Sequence, residues 1–220
     1  DDVVLGSGCR VEERAIVRGP LRAGSNNVFQ QMVMMGGHST HNNAARRGCI
    51  TIGSNCVFEI GAVVLAPRGG EGDAEGSTFI GDGAFVHMRA EVSHDCILEE
   101  GTRLAGELTG FCHAMKGSKI MKGVTVHQFT TVGTSAFLAM GTRVRHDVLP
   151  YCIYDGSSVL LDRVALQRLG VSPAQAEDLC AFYEQNLSSD GACYLLSLDE
   201  LLPPPREPDG DGDPWFAAEL

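Results

Sequence analysis

Apolar residues return along this chain every six positions, a spacing that belongs to neither an α-helix nor an ordinary β-strand. Counting from Leu5 gives Leu5, Val11, Val17, Ala23, Phe29 and Met35. The step resumes at Ile52, Phe58 and Val64, and again at Ile80, Val86, Val92, Leu98 and Leu104. It returns a fourth time at Ile120, Val126, Val132, Leu138 and Val144. All nineteen positions are apolar, whereas a composition that is 44% hydrophobic would fill about eight of them by chance. Glycine often follows the apolar position, as at Gly6, Gly24, Gly36, Gly53, Gly81 and Gly133. Short strands joined by turns with a permissive backbone fit this grammar, and three hexads make one triangular coil of about 18 residues. Stacked coils bury a column of small and branched side chains. The pattern predicts an all-β fold, a parallel β-helix of hexapeptide repeats over residues 1–156. A sandwich of short strands is the weaker alternative, because its alternation has period two and does not sustain a period of six.

Three interruptions break the rhythm. Residues 36–49 (GGHSTHNNAARRGC) and 68–78 (RGGEGDAEGST) are polar and glycine-rich, and are predicted to loop out from coil corners. The third is a phase shift: sixteen residues separate Leu104 from Ile120, where regular coils would place twelve or eighteen. The irregular coil contains His113. After Val144 the grammar changes, and a C-terminal α-helical region is predicted over residues 157–202. Ser172-Pro173-Ala174-Gln175 is a capping-box start with proline at the first helical position. A helix should run from Pro173 to about Asn186, with Ala176, Leu179, Cys180 and Tyr183 on one face, and a second short piece should follow near 195–202. Residues 203–220 read as a tail or linker. Asp1 already lies inside the repeat, which reads as a trimmed N-terminus.

The formal net charge of −11 argues against nucleic acid as a partner, since a binder would present a broad basic surface. No stretch approaches 18 apolar residues and no signal peptide is visible, so stable membrane insertion is not expected and a cytoplasmic location is. The eight cysteines form no CxxC pair and no zinc-type spacing, and read as small buried fillers in a reducing compartment. No metal or resident cofactor is expected.

Chemistry concentrates between His94 and Phe129, where His94, His113 and His127 are spaced 19 and 14 residues apart. Because a coil stacks residue n near n+18, His94 and His113 are expected on one side of the prism, one rung apart. Imidazoles along one groove point to proton transfer or to metal binding; solvated corner positions are the plain alternative.

Several motifs here resemble one family. His94-Asp95-Cys96, Gly101, His113, Val126-His127-Gln128-Phe129 and Val148-Leu149-Pro150-Tyr151 resemble, in order, the acyl-ACP–UDP-N-acetylglucosamine O-acyltransferases of lipid A biosynthesis. Asn27-Val28-Phe29-Gln30, Ile52-Gly53-Ser54-Asn55 and residues 164–172 (VALQRLGVS) are similar too, so the resemblance covers roughly residues 4–187. It implies a left-handed parallel β-helix, a homotrimer with sites between subunits, and acyl transfer from acyl carrier protein, or acyl-CoA, to a sugar-nucleotide acceptor. It places His94 as general base and Asp95 as the residue that orients it. His113, His127 and Gln128 would line the sugar and acyl site, and Arg168 would approach the nucleotide. Cys112 would stand where a glycine offers its backbone N–H to the thioester oxygen. The sequence departs from the pattern at Glu91, which replaces a histidine and puts an anion near the base, and at Pro67, which replaces another. Asp162 stands in for an asparagine, the stretch from His113 to His127 is two residues short, and residues 36–49 carry His38, His41, Arg46 and Arg47 in place of acidic and lysine contacts. These changes point to a related amino-sugar nucleotide, or to another hydroxyl or amine acceptor. Lys116, Lys119 and Lys122 are candidates to meet an acidic carrier protein. The competing readings are a zinc hydratase of the γ-carbonic anhydrase type using His87, His94 and His113, and a non-catalytic trimeric relative.

Overall fold

The computed structural model describes residues 2–37, 48–68 and 76–186. His38, His41, Arg46, Arg47, most of the second predicted loop, Cys193, the helical piece near 195–202 and the 203–220 tail lie outside the described residues. Each hexad folds into a short strand, usually two residues long, with its apolar residue inward and the preceding residue outward. The strands form three parallel sheets of seven, nine and seven strands, visited in turn, so the chain winds around a three-sided prism. We call these the first, second and third faces. Each strand pairs with the one a full coil later, as Phe79 pairs with Ile97 and Phe85 with Arg103. Val159–Leu161 turns back antiparallel on Cys152–Tyr154 and ends the repeat.

Inside the prism the hexad residues stack in columns, one behind each face. Phe29 and Phe58 lie in register behind the second face, their rings parallel at 5.2 Å. Burying each such side chain contributes about 1.5–3 kcal/mol. All but three of the nineteen hexad positions are buried. The exceptions, half-buried Leu5 and Val17 and Val11 at 46% exposure, belong to the first coil, which has no coil beneath it among the described residues. Of the glycines that follow hexad positions, Gly36 is left-handed, at φ 77°, as a permissive turn requires; Gly6, Gly24, Gly53, Gly81 and Gly133 are not, and have a different cause. A Cβ on Gly81 would lie 2.6 Å from the backbone nitrogen of Glu100 in the next coil, and its φ is not positive. Close stacking of corners, rather than a left-handed turn, excludes a side chain there.

The phase shift is a corner cut short. Only Ala105 and Gly106 join Arg103–Leu104 to Glu107–Leu108, where four residues join Phe85–Val86 to Glu91–Val92. That coil therefore spans sixteen residues: Glu91 pairs with Glu107, Ile97 with His113 and Arg103 with Lys119. The next coil returns to eighteen, with Glu107 opposite Thr125.

Among the described residues two helices follow the repeat. Helix α1 (Arg163–Arg168) is N-capped by Asp162, whose Oδ1 accepts from the Ala165 N–H at 2.8 Å. Helix α2 (Pro173–Asn186) begins with a reciprocal capping box, Gln175 N–H to Ser172 Oγ and Ser172 N–H to Gln175 Oε1. Leu149, Tyr151, Cys152, Leu166, Ala176, Leu179 and Tyr183 make a second core over the last coil, and Tyr183 Oη donates to the Pro150 carbonyl at 2.8 Å. The seven described cysteines are free, and burial pushes the Cys56 thiol up to about 11. Among the described residues no helix is long and apolar enough to cross a membrane.

Candidate active site

One edge of the prism gathers the chemistry. Residues 38–47 and 69–75 both fall between a third-face strand and a first-face strand, and so does His94. In three successive coils this edge is made by Ser93-His94-Asp95-Cys96, Thr109-Gly110-Phe111-Cys112 and His127-Gln128-Phe129-Thr130. The third residue of each corner is left-handed, with φ of 58° at Asp95, 63° at Phe111 and 64° at Phe129. Arg14, Asn55 and Tyr151 adopt the same conformation at other corners, so it belongs to the architecture and not to the site. The fourth residue, Cys96, Cys112 or Thr130, is buried in the core.

His94 is held from three sides. Its Nδ1 lies 2.9 Å from Asp95 Oδ2, and the two side chains are only 13% and 8% exposed. Asp95 is itself fixed: Oδ2 accepts from the Arg68 N–H at 2.9 Å, and its own N–H donates to Thr78 Oγ1 at 3.0 Å. A carboxylate at Nδ1 keeps the proton there and leaves the lone pair on Nε2, which has no hydrogen bond among the described residues. The imidazole meets Phe111 edge-on, with centroids 5.2 Å apart, and Phe111 stacks on Phe129 at 4.8 Å. Against the ring, one coil above, is Gly110, where a Cβ would come within 2.4 Å of His94 Cε1. The ring sits where a side chain on Gly110 would have to be. An oriented neutral imidazole with an unengaged Nε2 can accept a proton from a nucleophile placed against it.

The other sequence-derived candidates are spread more widely. Glu91 points outward on the third face, three residues before His94 and directly opposite Glu107. Burial first, and the Glu107 carboxylate second, hold its carboxyl above the usual range. His113 is not one rung above His94, because the sixteen-residue coil puts Gly110 there. It lies on the first face, its Nε2 2.7 Å from Glu99 Oε1. Cys112 does not face the site: it is buried, and its Sγ donates to the His127 carbonyl at 3.1 Å. His127 and Gln128 are exposed on the same edge, two coils above His94 and hence about 10 Å away. Arg168 belongs to α1 beside the second face, close enough for its charge to act on Lys119. The three lysines do not gather around His113. Lys116 pairs with Glu100 at 2.9 Å, Lys119 lies on the second face and Lys122 at its far corner.

Solved structures show what this prism is similar to. LpxA of Acinetobacter baumannii superposes with a TM-score of 0.78 at 18% identity, over 90% of this chain and 78% of that one. The UDP-N-acetylglucosamine acyltransferase of Campylobacter jejuni gives 0.73 at 20% identity, over 88% and 81%. That of Francisella novicida gives 0.66 at 21%, over 90% and 74%. The chain has the left-handed parallel β-helix of these acyltransferases. At such identities the likeness is one of fold. No protein-family model matches the sequence, and no curated protein does.

Within that fold, Gly110 and Phe111 join the site without belonging to any motif read from the sequence, and Phe129 stands there only as the end of the Val126-His127-Gln128-Phe129 run. The signal was the sixteen-residue interval between Leu104 and Ile120: applied to His94, it lands on Gly110. The three histidines of the zinc reading do not come together within this chain. His87 lies at the corner between the second and third faces, its Nδ1 3.1 Å from Glu59 Oε2, a full face away from the His94 edge. Among the described residues no three histidine, cysteine or acidic side chains come together as a metal site would require.

Proposed function

We propose that this chain is an acyltransferase that moves an acyl group from a carrier-bound or coenzyme A thioester to a hydroxyl or amine of a sugar nucleotide, with His94 as general base. The observation that carries the reading is the His94–Asp95 pair on the shared edge, its Nε2 unengaged among the described residues and its ring packed against Gly110. In the proposed step Nε2 takes the proton as the acceptor's oxygen or nitrogen attacks the thioester carbonyl. The new C–O or C–N bond forms, the C–S bond breaks, and the imidazolium returns the proton to the departing sulfur. Asp95 stabilises the imidazolium while it exists. Gly110, rather than Cys112, is the residue we assign to the thioester oxygen, because it lies one coil above His94 and its N–H makes no hydrogen bond among the described residues. His127 and Gln128 extend the groove, and Arg168 is proposed to reach the nucleotide from a neighbouring copy in a homotrimer.

Incubation with acyl carrier protein and coenzyme A thioesters against a panel of sugar nucleotides, read by mass spectrometry, tests this. An acylated sugar nucleotide is expected from the wild type and none from His94→Ala, with the oligomer unchanged by light scattering. A His94→Ala variant that still transfers acyl groups removes the general-base assignment.

A further inference from the structure

The second face carries a cationic column that the His94 edge does not use. Phe85, Arg103, Lys119 and Phe137 project outward from four successive coils, each in register with the next. Arg103 lies over the Phe85 ring, its guanidinium carbon 5.6 Å from the centroid. Arg103 and Lys119 are therefore neighbours across one coil spacing, about 4.8 Å, an arrangement in which like charges repel. Arg168, at the end of α1, brings a third positive charge to bear on Lys119.

The chain has carboxylates to spare, 28 against 17 lysines and arginines, yet among the described residues none pairs with Lys119. Lys116 pairs with Glu100, and Arg163 with Glu177. Lys119 is half-buried, and its ammonium makes no hydrogen bond or ion pair among the described residues. Asp162, whose carboxylate is near enough to act on it, is already engaged in capping α1. Burial is the main influence holding the Lys119 ammonium below its usual range; Asp162 opposes this, while Arg103 and Arg168 add to it. A half-buried ammonium kept beside other cations, in a column on rigid strands that a phenyl ring closes at each end, is arranged for an anion that the described residues do not supply.

We infer that Lys119 and Arg103, flanked by Arg168, form a binding site for a phosphoryl group on the second face. Two sources share that chemistry: the diphosphate of a sugar nucleotide, and the phosphates of a pantetheine-type thioester donor. The acyl-transfer reading supplies only these probes; the anion site stands or falls without it.

Calorimetry and thermal melts with inorganic pyrophosphate, UDP and coenzyme A, against sodium chloride at matched ionic strength, test the site. Pyrophosphate should raise the melting temperature of the wild type in a concentration-dependent way, beyond the salt control. Lys119→Met should do two things together: raise the melting temperature of the ligand-free protein, by removing an unpaired half-buried charge, and weaken pyrophosphate at least tenfold. Arg103→Met should weaken it similarly, while Lys122→Met should not. A stronger response to UDP than to coenzyme A assigns the site to the acceptor, and the reverse assigns it to the donor. Pyrophosphate binding alone keeps the site and removes both sources. Undiminished pyrophosphate affinity in both Lys119→Met and Lys119→Gln overturns the proposal, as does a wild type that responds to no probe beyond salt.

Discussion

Placing a methyl group on Gly110 probes the His94 pocket without needing a substrate. Its φ is not left-handed, so alanine is compatible with the backbone and the effect comes from contact alone. The new Cβ would stand 2.4 Å from Cε1, 2.7 Å from Nε2 and 3.0 Å from Nδ1 of His94. An ordinary contact is about 3.5–4 Å, so the ring must retreat by roughly 1 Å. It has little room to do so, with Phe111 against it and Asp95 bonded at 2.9 Å. Overpacking of this kind costs about 1–3 kcal/mol, and a charge-assisted hydrogen bond is worth about 1.5–3 kcal/mol. Taking about 2 kcal/mol as the net, Gly110→Ala should lower the melting temperature by about 4–8 °C in a chain of this size. A base displaced by about 1 Å should also lose roughly a hundredfold in rate. The decisive assay is a double-mutant cycle by denaturant unfolding. Once His94→Ala has removed the ring, adding Gly110→Ala should cost less than about 0.5 kcal/mol. Equal costs with and without the imidazole would refute the stacking.

Other consequences can be checked on the same preparations. Leu98→Ala, at a fully buried hexad position, should cost about 2–5 kcal/mol in denaturant unfolding, while Val11→Ala, 46% exposed, should cost well under that; similar costs would contradict the column packing. Asp95→Asn keeps the size of the side chain but loses the charge that stabilises the imidazolium, so acyl transfer should fall roughly 10- to 100-fold with the fold retained. Steady-state kinetics beside circular dichroism separate that outcome from unfolding. Because the folded state raises the Glu91 carboxyl, the stability it contributes is fully present below its unfolded value and is lost as pH rises through the folded one. Glu91→Gln should therefore stabilise the protein above that window and change little below it. Melts from roughly pH 4 to pH 8 would show a gain independent of pH if this reasoning were wrong.

The prism itself was readable because a hexad is local. Each of Phe58, Val86, Val92 and Leu98 declares its own inward position within six residues, and no distant contact is needed to assign it. The start of α2 was readable for the same reason, since Ser172 and Gln175 satisfy each other's backbone within four residues. The site was only half readable. His94 and Asp95 are adjacent in sequence, so their pairing could be expected from the dipeptide. Which residues share their edge depends on the summed lengths of every corner in between, and the two-residue corner at Ala105-Gly106 shifts that sum. It moves His113 onto the first face beside Glu99, turns Cys112 into the core, and brings Gly110 and Phe111 to the imidazole. The sequence by itself determined a coil that repeats and a histidine beside a carboxylate. The tertiary structure decided what that histidine touches, because stacking between coils is set by cumulative register, which no single hexad records.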